Sequence, residues 1–364
     1  METTRANLIT CMVYKTIAPN IALALKSMGI PEYHVAAARA IVLKEKAGFM
    51  GIGAGIALDE DPSEIFSFYV PSGSEEAAIN SLIAAGELSK PGRGSVYCEE
   101  VDVAECAIAG ALVEASDLMK LVSELYGICC IVQRGQGNSI AHAALDLGFA
   151  VPQVTFGEGT GLRDKLGLLR ITIPAEKEVV HLTVSSQDVH EAMNVLIDVG
   201  RLDQPGKGFI YVYPVGRGLI NTSIFRGKQK HAASMEQVIA AIDDIKGNLE
   251  WRQRSTGGEA MGKRRKFLSD LVEFRILCNE GRAQSLVHAA MSAGAAGATI
   301  SQLRYKSVSA EKTVSPAREM SDLIVGKGQV EAIAAAIEAA GVFDEETAGS
   351  IQLKNVPTAC TYLG

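Results

Sequence analysis

The chain has 364 residues, of which 48% are hydrophobic and 21% charged, and a formal net charge of −7. This composition supports buried cores and excludes an intrinsically disordered chain, while the acidic balance argues against general nucleic-acid binding. The seven cysteines are an odd count without a Cys-x-x-Cys pair, which argues against a disulfide framework or zinc site and fits a reducing, cytoplasmic setting.

Residues 8–14 read as a strand rich in Ile, Val and Cys, followed by a helix pattern over 17–28 that Gly29 ends. Residues 33–43 and 64–70 read as further strands, and 74–85 as an amphipathic helix with Ser74 as N-cap and Gly86 as its stop. The stretch 104–125 has apolar helical spacing. The pattern then returns: strand 127–133, helix 139–147 ended by Gly148, strands 151–156 and 178–184, and helix 187–199 ended by Gly200. A connecting stretch follows, with a helix over 235–245 and a flexible loop at Arg254-Ser255-Thr256-Gly257-Gly258. The basic run Lys263-Arg264-Arg265-Lys266 reads as a solvated linker. Strand 272–278, helix 283–293 ended by Gly294, strands 299–308 and 320–325, and helix 329–340 ended by Gly341 complete the chain. No apolar run reaches membrane-spanning length, and Met1-Glu2-Thr3-Thr4-Arg5 does not start a signal peptide.

Three stretches align without a gap, over 84–97, 198–211 and 339–352. They bring Gly86, Gly200 and Gly341 into register, then Gly94, Gly208 and Gly349, and then Val101, Val215 and Val356. Each copy reads strand-helix-strand, variable loop, strand-helix-strand, the split β-α-β pattern of the ferredoxin-like fold. The expectation is an α+β protein of three tandem ferredoxin-like (βαββαβ) units packed as a pseudo-threefold trimer. The units run over 5–103, 124–222 and 268–364, with a helical linker at 104–123 and a helical or flexible one at 223–267. Since three units close one ring, the chain is expected as a monomer or small homo-oligomer.

The turn after the last helix of each copy carries the main binding candidates. Lys90, Gly92, Arg93 and Gly94 in the first copy, and Gly206, Lys207 and Gly208 in the second, place a basic residue between two glycines. Backbone N–H groups in such a turn converge on a phosphate or carboxylate. The third copy, Glu345-Glu346-Thr347-Ala348-Gly349, has acids in place of the basic residue and reads as structural. Two Gly-rich loops, over 48–56 and 157–165, differ between copies. The first is not a dinucleotide fingerprint, because no helix start follows it. The six histidines form no metal motif.

The turns Lys90–Tyr97 and Gln204–Tyr211, with the continuation Tyr211-Val212-Tyr213-Pro214-Val215, resemble those of the PII-like signalling proteins. The resemblance implies a small anionic ligand, an adenine nucleotide being one candidate, bound in clefts between units. It also implies a nitrogen-regulation type of role, acting on a partner enzyme or transporter. Only Lys90 keeps the family's Thr-Gly-Lys, and Arg93 and Lys207 replace its Asp. Ile220 and Thr222 stand where two arginines grip a triphosphate, with Arg217 and Arg226 nearby as substitutes, and Gly159 stands near the loop glutamine. The likeness therefore implies a PII-like scaffold without magnesium-nucleotide and 2-oxoglutarate sensing of the PII kind. Two other readings stand beside it: an enzyme with its site at a unit interface, using Glu99, Glu100 or His181, and an assembly protein that tiles through its units.

Overall fold

The structure, a computed structural model, describes residues 1–46, 55–112, 119–161, 175–226, 265–307 and 314–362. Its first strands are β1 (Thr4–Tyr14), β2 (Glu32–Lys46), β3 (Gly55–Val70) and β4 (Gly94–Ala104), and β1 is buried on both faces over most of its length. Helix α1 (Ala18–Ser27) joins β1 to β2, and α2 (Glu75–Gly86) joins β3 to β4. The second segment has β5 (Val122–Gln133), α3 (Gly137–Asp146), β6 (Gln153–Gly161), β7 (Glu176–Ser185), α4 (Val189–Gly200), β8 (Gly208–Leu219) and the short β9 (Phe225–Arg226). The third has β10 (Leu271–Asn279), α5 (Ala283–Ser292), β11 (Gly297–Ser307), β12 (Ala317–Gly326), α6 (Val330–Ala339), β13 (Ser350–Val356) and β14 (Thr358–Thr361). No helix among the described residues is long and apolar enough to cross a membrane.

The strands overturn the expected fold class. Three ferredoxin-like units packed against one another would each keep a sheet of their own. Instead one sheet of fourteen strands, order β14-β8-β5-β7-β6-β11-β12-β10-β13-β4-β1-β3-β2-β9, runs through all three segments. The reason is backbone pairing at strand edges, where unpaired N–H and C=O groups need partners. Within the first segment β1 lies antiparallel between β3 and β4. Between segments, β4 pairs with β8 at Val96 and Leu219, β13 with β4 at Ile351 and Ala104, and β14 with β8 at Thr358 and Val212. The long strands β2, β6 and β11 also pair with one another.

Alternation along the strands divides the core. Ile9, Cys11 and Val13 of β1 pack with Ile21 and Leu25 of α1 on the helix side. Met12 joins Tyr97, Leu125, Cys129, Tyr211, Tyr213 and Val356 in a cluster drawn from all three segments. Tyr97 and Phe274 are among the largest fully buried side chains.

Several local expectations change. Gly86 and Gly200 lie inside their helices, and the left-handed residues after them are Glu87 and Arg201. These glycines make room instead: a Cβ on Gly200 would lie 2.8 Å from Ile140 Cδ1. Ser74 holds the N-cap position but does not cap α2; its Oγ accepts from Leu112 N at 3.1 Å. The 104–123 stretch, expected to be helical, has no helix among its described residues; Ile108 bridges Tyr69 and β5 begins at Val122. Arg265, read as solvated, packs on α4, where its Nη1 donates to Asn194 Oδ1 at 2.9 Å and its Nη2 pairs with Asp198. The helix expected over 235–245 and the Arg254–Gly258 loop lie outside the described residues, as do residues 48–54 and 162–165 of the two Gly-rich loops, while residues 157–161 form the end of β6.

Candidate functional site

The two Gly turns are locked into the sheet. A Cβ on Gly94 would lie 2.4 Å from Met12 O, and one on Gly208 2.3 Å from Ile131 O, so close strand approach demands glycine at both. Gly92 N donates to Asn221 Oδ1 at 3.2 Å, and Asn221 N donates to Ser95 Oγ at 2.8 Å. Arg93 Nε donates to Gly86 O at 2.8 Å, closing the last turn of α2. Lys90 Nζ lies 2.8 Å from Glu87, and Arg217 pairs with Glu76 across the first and second segments. In the second turn, Gly206 O accepts from Gln133 Nε2 at 2.9 Å and Gly208 O from Thr361 Oγ1 at 3.0 Å. Lys207 has no ion-pair partner among the described residues. The structure thus divides the predicted set between two separate turns, with Arg217 alongside the first segment.

A polar chamber of about 80 Å³ lies where the three segments meet, with Glu99, His181, Arg275 and Lys354 in its wall. Glu99 and His181, named for the enzymatic reading, come together here, whereas Glu100 is exposed and pairs with Arg5. The chamber's charges are tied to one another. Lys354 Nζ lies 2.8 Å from Glu99 and 3.2 Å from Glu273, and 3.6 Å from the Tyr213 ring centroid. Arg275 lies 3.1 Å from Glu273 and donates through Nε to Asp322 at 2.6 Å. Burial pushes the Glu273 carboxyl up, but Lys354 and Arg275 more than offset this and leave it below the ordinary value. Burial, aided by Arg275 and Lys354, pushes His181 down to about 4, and its Nε2 sits 3.1 Å from Thr155 Oγ1.

Outside this chamber, and sharing Ala37, Phe156, Ser301 and Gln302 with it, lies a cavity of about 530 Å³. It sits at the junction of β6 and β11, and Phe156, Glu158, Gln284, Gln302 and Glu319 are among its lining residues. Phe156 is 52% exposed, a large apolar surface for a solvated position. Arg134 and Glu176 close part of the rim with an ion pair at 2.9 Å. Among the described residues no group of three or more His, Cys, Asp or Glu is placed to hold a metal ion.

No family model matches this chain, and no curated protein matches it. Among the solved structures that are similar in part are the following two. The crystal structure of Arabidopsis thaliana PII bound to citrate is 20% identical, with a TM-score of 0.22, over 30% of this chain and 97% of that one. That of an unknown protein from Galdieria sulphuraria is 11% identical, with a TM-score of 0.18, over 59% of this chain and 99% of that one. Superposition this loose fixes neither fold nor function.

The cavity and the chamber's charged cluster were missed in the sequence. In Val272-Glu273-Phe274-Arg275-Ile276 the charges alternate with apolar residues, the pattern of a strand with one solvated face. The neighbouring segments cover that face, so Glu273 is fully buried.

Proposed function

We propose that this chain is a small-ligand-binding regulatory protein of PII-like type, with its ligand in the cavity between β6 and β11. The observation that carries the reading is the cavity itself. At about 530 Å³ it lies within the ~300–1,000 Å³ range of small-molecule sites. Its wall combines a half-exposed aromatic ring with a few convergent polar groups. The inner chamber is a poorer candidate for chemistry: its Glu99 carboxylate is engaged by Lys354 and Thr10. A ligand seated between β6 of the second segment and β11 of the third changes the free energy of that junction, which is how binding becomes a regulatory signal. The resemblance of the Gly turns to those of PII-like proteins supports the regulatory class and a partner enzyme or transporter as its target.

A thermal-shift panel of adenine nucleotides, carboxylates, amino acids, amines and guanidino compounds tests this reading. A saturable rise in Tm with one class, lost when Phe156→Asp alters the wall, is expected. No shift with any class contradicts it. One observation favours a second reading, an anion at Gly206–Gly208: Lys207 carries a charge with no ion-pair partner among the described residues. On that reading Lys207→Ala abolishes nucleotide or carboxylate binding and Phe156→Asp does not.

A further inference from the structure

The chemistry of the ligand follows from comparing the three junctions among β2, β6 and β11, and it rests on the reading of the cavity as a ligand site. The junctions share one register. Arg39 of β2 lies opposite Val154 of β6, Arg304 of β11 opposite Val35 of β2, and Glu158 of β6 opposite Ile300 of β11. Pairing inside each hairpin gives the same equivalence. Ala37 faces Glu64, Phe156 faces Glu178, and Gln302 faces Glu319. Arg39, Glu158 and Arg304 each stand two residues further along, on the same face of their strand.

At two junctions this position is an arginine that crosses to a carboxylate of the neighbouring segment. Arg39 Nη2 donates to Glu178 Oε1 at 2.7 Å, and Arg304 Nη2 to Glu64 Oε1 at 2.8 Å. At the third junction the same position is Glu158, and the carboxylate in the Glu178 place is Glu319. Both line the cavity.

The rest of the guanidinium receiver is retained there. Glu178 Oε2 accepts from Gly137 N at 2.7 Å, at the start of α3, and Asn138 Oδ1 accepts from Arg39 Nη1 at 2.7 Å. Correspondingly, Glu319 Oε2 accepts from Ala283 N at 2.9 Å, at the start of α5. Gln284, the next residue as Asn138 is, lines the cavity. Among the described residues, Glu319 Oε1, in the place that takes the arginine in Glu178, has only a long 3.4 Å contact from Gln302 Nε2. Ser301 is a second sign of a built site. It is 7% exposed and lines the cavity, and its hydroxyl has no hydrogen-bond partner among the described residues.

We propose that this cavity binds a small molecule bearing a guanidinium group, held between Glu158 and Glu319 and beside Gln284. The ligand supplies in trans the group that Arg39 and Arg304 supply in cis. A planar guanidinium matches two carboxylates through its fork of donors, which a spherical ammonium does not. A metal ion fits less well, since the described residues gather no metal-ligating group there. The volume leaves room for an aliphatic chain beyond the guanidinium.

Titration calorimetry of the full chain with agmatine, L-arginine and putrescine tests this, with citrate and ATP as anionic probes. Saturable binding of agmatine or L-arginine is expected, with putrescine weaker. Glu319→Gln should weaken that binding about tenfold or more, the factor for a lost charge-assisted hydrogen bond. Glu158→Arg should abolish it, because its own guanidinium then occupies the place, and a melting curve shows whether that variant is folded. Putrescine binding as tightly as agmatine overturns the guanidinium assignment, as does guanidino binding that Glu319→Gln leaves unchanged. If only citrate or ATP binds, and Glu158→Arg or Phe156→Asp disturbs it, the ligand class is wrong while the cavity reading stands. If none of the probes binds and the wider panel is also silent, both fail.

Discussion

Lys354 is 4% exposed and sits between Glu99, Glu273 and the Tyr213 ring. A charge so placed is tolerated only with its partners. Removing one partner leaves the others buried and uncompensated, so Lys354→Met is expected to lower unfolding free energy by about 3–5 kcal/mol in urea titrations. A neutral result would mean that water enters the chamber. His181 shows the same physics in titration. Burial, with Arg275 and Lys354, holds it down to about 4 in the fold, against an ordinary value near 6.5. The unfolded chain therefore takes up the proton first as pH falls. The His181 contribution is constant above about pH 6.5, erodes between 6.5 and 4, and levels off below. Buried His34, pushed down to about 3 by burial and by Arg318 and Arg275, acts in the same direction. Urea melts at pH 8, 6 and 5 should show falling stability, with a smaller fall in His181→Gln. An equal fall in that variant would assign the effect elsewhere.

At the scale of elements, the Gly turns show how far the sequence could be read. The glycines of the 84–97 and 198–211 stretches were visible as a repeat, and two turns do lie there. Their purpose was not visible. Gly94 and Gly208 are required because β4 and β8 run against the backbone of β1 and β5, as the 2.4 Å and 2.3 Å Cβ approaches show. Nothing local encodes that proximity. Gly208→Ala should therefore destabilise the fold by about 1–3 kcal/mol, while leaving any binding at the β6–β11 cavity intact in calorimetry. Helices were easier to read, since their apolar spacing is local: the pattern over 74–85 corresponds to α2 at Glu75–Gly86. The difference among Arg39, Glu158 and Arg304 was also present in the sequence. It becomes legible once the second strands are aligned as the turns were, but its meaning needs the cross-strand register that only the folded sheet provides.

At the scale of the whole molecule, strand edges decide the architecture. Side-chain periodicity predicts strands without naming the partner of an edge, because pairing there uses backbone groups that every residue shares. Three sheets were therefore expected where one forms. Since the β4–β8, β4–β13 and β8–β14 pairings and a common apolar cluster join the segments, scanning calorimetry should record one cooperative transition. Three resolved transitions would mean that the segments unfold independently.

The proposed site depends on the equivalence of the three junctions and on Glu158 standing where the other two carry arginine. The thermal melt of Glu158→Arg in the absence of ligand tests this most directly. If the junctions are equivalent, the new arginine pairs with Glu319 as Arg39 pairs with Glu178, and Tm rises by about 1 °C, as a partly exposed ion pair in a chain of this size should produce. A fall in Tm would show that the third junction does not accept a guanidinium and would contradict the proposed site.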